Sequence, residues 1–404
     1  MGEGGTICRK SKKLGELLNL NYLFFKDETQ NPTNSFKDRT AALLTSHARS
    51  WDFESVICAS NGNQGASMAA YTSLEGMECL NIIPKNIDIG KKAQMIAYNS
   101  ELQEIGDTVD DAISEADKPS YIGKFYQATP ELNPLTLEAQ KTIVFEIIKQ
   151  IGAIDWIIIP MGSGGLLVSI WKGLKELFEA KIIEELPKLV GVQSKVLSPI
   201  VNGFKNIDKA EQKSKSFKSY ASGIIVKDPK FKDLAIKAIN ESKGKAISIP
   251  ENLMLTSTEE LARNEGLLVE PASALTLAGL TLLQQNNEIE RNEKIVSLIT
   301  GSGLKTPYVL EAISSRTKTA GMGILSTKLK ILSHISVASE KGIYGSKIKE
   351  MLGKISLPAV YQHLKELESN SLIQRKKEGK TVLYTITKKG KKVLKALETL
   401  MTLF

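Results

Sequence analysis

Through residues 1–315, short apolar runs of β type alternate with longer stretches of helical spacing. Residues 55–60 read as a buried strand that ends in a Gly/Asn loop, and residues 63–74 as a helix of small side chains. Residues 79–83 form the next strand, stopped by Pro84. Residues 156–159 form another, followed by Pro160-Met161-Gly162-Ser163-Gly164-Gly165 and a helix starting near Leu166. Residues 190–192 and 295–299 add two more. Apolar strands separated by helices predict parallel sheets covered on both faces. In such sheets ligands bind where strands end and loops begin. The loops after Ala59, Ile159 and Ile299 all fall there, and all are rich in glycine.

The pattern changes near Gly321-Met322-Gly323, which reads as a linker, and residues 202–219 read as a polar, Lys-rich surface excursion. Beyond the linker, residues 325–337 carry Leu325, Leu329, Leu332 and Ile335 at helical spacing, and residues 344–352 form a second short helix. A turn over 353–356 ends in Ser356 as a helix N-cap. The third helix, 357–369, places Leu357, Val360, Leu364 and Leu367 on a buried face and leaves Tyr361, Gln362 and Lys365 exposed. Two alternating strands, 372–376 and 381–386, flank a hairpin tip at 377–380. A last helix, 388–403, has an apolar stripe suited to pairing with a copy of itself.

Charge sharpens this division. Residues 326–404 hold 16 Lys+Arg against 6 Asp+Glu, while the rest of the chain holds 37 against 39. The whole basic excess therefore sits in the last segment. A solvated tail would account for it, and so would a small domain whose partner is a polyanion. The helix, helix, helix, basic hairpin order favours the second. No apolar run reaches the length of a membrane helix. Three cysteines without C-x-x-C spacing and three histidines make a zinc site an unfavourable reading; a reducing, cytoplasmic setting is expected.

Candidate chemistry gathers in the first segment. Lys37, flanked by Asp38 and Arg39 on a predicted helix face, reads by itself as a solvated charge cluster. It gains meaning from its companions. An enzyme working through a lysine Schiff base needs an amine, amides for a cofactor phosphate, and partners for the cofactor ring. Lys37 offers the amine. Gly162, Ser163, Gly164 and Gly165, between a strand and a helix, offer bare backbone N–H groups. Ser60, Asn61, Gly62, Asn63 and Gln64 make a second amide-rich loop suited to a substrate carboxylate, and Thr300 places a neutral hydroxyl at a strand end.

Six motifs in order carry a resemblance: residues 2–6 (GEGGT), 31–39 (NPTNSFKDR), 60–63 (SNGN), 137–142 (LEAQKT), 269–274 (VEPASA) and 300–305 (TGSGLK). Together they resemble fold type II pyridoxal-phosphate enzymes, and within them the threonine synthases, over about residues 2–312. The resemblance implies an α/β fold of two parallel-sheet subdomains within residues 1–320, the smaller over about 45–128. It implies pyridoxal 5'-phosphate anchored on Lys37, with Phe36 beside its ring and Asn63 at its phenolic oxygen. The amides of Gly162, Ser163, Gly164, Gly165 and Leu166 would hold its phosphate. Thr300 would meet the pyridine nitrogen, and residues 60–64 would grip an amino-acid carboxylate. Lys37 would also serve as general base and acid.

Residues 324–404 resemble winged-helix regulators of the PadR and ArsR kind, most specifically over 356–368. That resemblance implies double-stranded DNA as partner, with Tyr361, Gln362 and Lys365 on the recognition helix and Arg375, Lys376, Lys377 and Lys380 in the wing. A homodimer is expected, because both types commonly dimerise.

One stretch departs from the threonine synthase pattern. Where those enzymes carry N-S-x-N-P-x-R for the substrate phosphate, this chain has Pro130-Glu131-Leu132-Asn133-Pro134-Leu135-Thr136. A carboxylate replaces a hydroxyl, and the arginine is gone. Three readings follow: conversion of O-phosphohomoserine to threonine, elimination on a non-phosphorylated serine or threonine, or an amino-acid sensor that regulates transcription.

Overall fold

The computed structural model describes residues 1–207, 219–307, 320–338, 342–352, 355–378 and 381–394, and only the backbone of 320–326 and 378. The chain divides into two units, Met1–Ile313 and Ser314–Phe404.

Among its described residues the first unit holds ten strands: β1 (Cys8–Lys10), β2 (Tyr22–Asp27), β3 (Ser55–Ala59), β4 (Glu78–Ile83), β5 (Glu101–Glu104), β6 (Tyr126–Gln127), β7 (Trp156–Pro160), β8 (Lys188–Ser194), β9 (Lys245–Ile249) and β10 (Lys294–Ile299). They form a six-stranded sheet, β1-β2-β10-β7-β8-β9, and a four-stranded sheet, β5-β4-β3-β6. Every pairing is parallel except that of β1 with β2. Strand alternation buries both faces of the large sheet. Ile157, Ile159, Val296 and Leu298 pack with the helices Leu135–Ile151 and Gly165–Glu179. Trp156, Ile158, Ile295 and Ile299 pack on the other side with the helix Pro271–Gln285. The small sheet does the same. Val56 and Cys58 meet Ala41, Leu44 and Ala48 of the helix Lys37–Ser50, while Ile57 and Ala59 meet the helix Val109–Ala116. Lys37, as first residue of its helix, is thereby fixed by a buried apolar face rather than left on the surface.

The predicted strands at 55–60, 79–83, 156–159, 190–192 and 295–299 all appear, and the predicted helix 63–74 is the helix Asn63–Leu74. Of the excursion at 202–219, residues 202–204 belong to the helix Pro199–Phe204 and residues 208–218 lie outside the described residues.

The second unit contains the helices Ala320–Val337, Gly345–Leu352 and Leu357–Ser369, and a three-stranded sheet. Its strands are β11 (Ile343–Tyr344), β12 (Ile373–Glu378) and β13 (Thr381–Ile386), in the order β11-β13-β12. Its core joins Ile331, Leu332, Ile335, Ile348, Val360, Leu364, Leu367, Ile373 and Tyr384. Four expectations are corrected here. Residues 321–323, read as a linker, lie inside the helix Ala320–Val337. A glycine in a helix costs only about 1 kcal/mol, which neighbouring turns absorb. Tyr344 pairs in β11 instead of starting a helix, β12 begins and ends later than expected, and Leu357 is 38% exposed. Leu357 is the first residue of its helix, before the turn in which that helix meets the core. Residues 395–403 of the predicted last helix lie outside the described residues.

Candidate active site

The chain around Lys37 is held from both sides. Ser35 bridges Gly301, the Phe36 amide donates to the Thr300 carbonyl at 3.0 Å, and the Ser302 amide donates to the Asn34 carbonyl at 3.1 Å. The charges beside the lysine are interior. Asp38 accepts the Thr33 amide and hydroxyl, each at 2.6 Å, and Arg39 forms a two-pronged pair with Glu28. A solvated charge cluster is thus ruled out. Lys37 Nζ lies 4.9 Å from the Phe36 ring centre. Burial pulls its ammonium below the ordinary lysine range, against the opposing pull of Glu131 and Cys58. An amine released from its proton is the nucleophilic form.

Lys37 faces a cleft walled by Phe36, Ser60, Asn61, Asn63, Gln64, residues 162–166 and Thr300. All three glycine-rich loops thus converge on one space, at the ends of β3, β7 and β10. Gly164 has φ +93°, a backbone that L side chains rarely adopt, and a Cβ there would lie 3.1 Å from the Ala235 methyl. This turn points the start of the helix Gly165–Glu179 at the cleft. The amides of Ser163, Gly164, Gly165 and Leu166 have no acceptor among the described residues. Such a set of free amides at a helix N-terminus suits an anion.

The second loop divides its tasks. The Ser60 hydroxyl turns inward and accepts the amides of Gly62 at 2.9 Å and Gly65 at 3.0 Å. Gly62 (φ +143°) lets the chain pass Lys91, whose Cδ would be 2.3 Å from an added Cβ. The amides of Asn61, Asn63 and Gln64 remain without an acceptor among the described residues. Asn63 Oδ1 and both polar ends of Gln64 are buried without a partner there. Buried polar atoms left unpaired are costly, and their concentration along one cleft marks a place for a polar ligand. The Thr300 hydroxyl lies 2.9 Å from Ser273 Oγ, which also accepts the amides of Thr300 and Gly301.

Three residues given no role by the sequence reading brace this site. Glu270 lines the cleft, accepts Asn63 Nδ2 at 2.7 Å and pairs with Lys91 Nζ at 2.9 Å, both ions buried. Lys305 Nζ donates to the Thr33 carbonyl at 2.7 Å. Burial pulls Lys305 down to about 8, with Glu270 opposing. Glu270 stands within a quoted motif, but only the tertiary contacts disclose its partners. The departures noted in the sequence also reach the cleft: Pro130, Glu131 and Thr136 all line it, and the Ser163 hydroxyl donates to Glu131 Oε1 at 2.8 Å.

In the second unit Tyr361, Gln362 and Lys365 are exposed, as are Arg375, Lys376 and Lys377 on β12. Arg375 Nε also meets Glu368 Oε1 at 3.0 Å. Lys380 lies outside the described residues. Ser356 Oγ accepts the Ala359 amide, the expected N-cap. Among the described residues no helix is long and apolar enough to cross a membrane.

Residues 1–301 match the family model described as pyridoxal-phosphate dependent enzyme, and residues 324–404 match an HxlR-like helix-turn-helix model. Threonine synthase of Methanocaldococcus jannaschii is 37% identical over 308 residues, 76% of this chain and 76% of that protein. Threonine synthase of Methanosarcina acetivorans is 35% identical over 311 residues, again 76% of each. A fungal L-serine ammonia-lyase from Rhizomucor miehei superposes with a TM-score of 0.67 at 18% identity, covering 77% of this chain and 98% of that one. This last likeness bears on the fold.

Proposed function

Because the chain belongs to the pyridoxal-phosphate dependent enzyme family, we propose that it is a threonine synthase-like lyase that removes or replaces a leaving group on a small L-amino acid. The observation that carries this reading is the convergence of the Lys37 amine with two sets of free amides and the Thr300 hydroxyl on one cleft. Pyridoxal phosphate, when bound, supplies an electron sink that acidifies the carbons of an attached amino acid. Lys37 Nζ would anchor the aldehyde and, as a free amine, would take and return protons at the substrate carbons. The amides of residues 162–166 would hold the phosphate, and Phe36 would lie beside the ring. Asn63 keeps a second N–H for the phenolic oxygen while Glu270 fixes the first. Thr300, steadied by Ser273, offers the ring nitrogen a neutral hydroxyl, which favours elimination and replacement chemistry. The free amides of Asn61, Asn63 and Gln64 grip the substrate carboxylate. The anchor is tested by the visible absorption of the loaded protein, expected to vanish in Lys37→Ala.

Conversion of O-phosphohomoserine to threonine and phosphate is the first reaction to assay, because of the threonine synthases among the relatives. Phosphate release reads it directly. A second reading, elimination on a hydroxy amino acid, is favoured by the Glu131 carboxylate in the cleft wall.

For the second unit we infer double-stranded DNA binding as a dimer. The HxlR-like match, the exposed recognition face and the concentration of basic residues support it. A mobility shift that weakens steeply with salt is expected, and no shift at low salt overturns it.

A further inference from the structure

We propose that Glu131, together with Thr136, is the specificity-determining element of the cleft and restricts it to amino acids with an uncharged hydroxyl as the distal group, excluding phosphate esters. This rests on the reading of the cleft as a pyridoxal-phosphate lyase site and selects between its two substrates.

The charges of the wall argue for it. Among the described residues lining the cleft, Lys37 is the sole Lys or Arg, and Glu131 and Glu270 are carboxylates. Lys37 is committed to the cofactor, and Lys91 behind Gly62 is paired with Glu270 at 2.9 Å. A second phosphate would therefore enter a space whose free amides at 163–166 are already given to the cofactor. The wall beside those amides shows Glu131 as an acceptor. Its Oε1 holds the Ser163 hydroxyl at 2.8 Å, so the carboxylate is fixed at the cleft surface. The Thr136 hydroxyl is buried in the same wall without a partner among the described residues. A phosphate dianion brings only acceptors to this surface. A hydroxyl can donate to Glu131 and accept from Thr136, which leaves no group unpaired. Repulsion of a dianion by a carboxylate about 4 Å away, even in a water-like dielectric, corresponds to roughly 30-fold in binding.

The test compares full-length, cofactor-loaded wild type with Glu131→Ser and Glu131→Gln. L-Threonine and L-serine are assayed by keto-acid release, the net result of losing water and then, by hydrolysis, ammonia. O-Phosphohomoserine is assayed by phosphate release. Binding of each is also read from the change it causes in the visible absorption, so discrimination is measured even where turnover is slow. Wild type is expected to favour the hydroxy amino acids by about 30-fold or more, and both variants to narrow that ratio at least tenfold while still taking up the cofactor, read from a retained visible band. A wild type that favours O-phosphohomoserine overturns the inference, as does a ratio unmoved in both variants. A wild type that takes up no cofactor overturns the lyase reading as well, and the missing visible band tells the two failures apart.

Discussion

A methyl group at Gly301 would lie 2.1 Å from Glu270 Oε1, an oxygen already held by Asn63, while the other oxygen is held by Lys91. Glu270 has no free direction in which to yield, so Gly301→Ala is expected to break one of these contacts. The predicted loss is about 1–3 kcal/mol in thermal unfolding, with weakened cofactor uptake. Glu270→Asp in the same chain, one methylene shorter, is expected to recover part of the stability. Equal stability of Gly301→Ala and wild type would count against this packing. The sequence displayed Gly301, Glu270 and Lys305 as motif letters, and displayed Lys37 as an anchor only through the ordered set of motifs in which it stands. It did not display Lys91, nor the burial of Lys305, since a lysine in a helical or loop segment reads as solvated. Their interior placement depends on carboxylates far away in the chain.

Four elements of the first unit meet at Arg39. Its guanidinium binds Glu28 through both oxygens, at 2.8 and 2.9 Å, and Glu146 at 2.6 and 2.8 Å; Lys26 adds a further contact to Glu146 at 2.6 Å. Glu28 is fully buried, so Arg39→Met leaves an uncompensated interior charge. The expected destabilisation is about 3–5 kcal/mol in denaturant unfolding, reduced when Glu28→Gln is added. The same cluster sets an acid limit. Burial acts to raise the Glu146 carboxyl, but hydrogen bonds from Arg39 and Lys26 outweigh it and hold the group at about 2. Its folded value is below the unfolded one, so the stabilisation is full above pH 4.5 and lost as pH falls toward 2. Arg39→Met should flatten this part of the stability–pH curve. In the second unit, Lys376→Ala and Lys377→Ala should each lower the salt slope of DNA binding by about one, if each neutralises a phosphate. Gln362→Ala should act on sequence preference. Elements with buried faces were legible: β3, β7 and β10 as short apolar runs ending in glycine-rich loops, and the helix Leu357–Ser369 from its spacing. The two-residue strand β11 is too short to carry a period, and the glycine pair at 321 and 323 misled because a helix tolerates what composition treats as a break.

The two units have separate cores, one assembled on the parallel sheets and the other from Ile331, Leu364, Tyr384 and their neighbours. Their charges are also opposed in kind, with the basic excess confined to residues 326–404. Each should therefore respond to its own ligand. Calorimetry of the full chain is expected to resolve two transitions. Unfolding enthalpy scales with residue number, so the unit Met1–Ile313 should account for roughly three quarters of the heat. Pyridoxal phosphate held by the folded cleft, at a hundred times its Kd and with no comparable binding to the unfolded chain, should stabilise that larger transition by about 2.7 kcal/mol. Duplex DNA at low salt should move the smaller transition, and 0.5 M salt should abolish that shift. The informative case is an amino acid added to the loaded chain. A substrate with no regulatory role moves the larger transition alone. An amino acid that also changes the DNA-induced shift has a coupling free energy between the two sites, and by reciprocity DNA must then change the affinity for that amino acid by the same factor. Measuring both factors decides whether the second unit reads the occupancy of the cleft or only shares its chain.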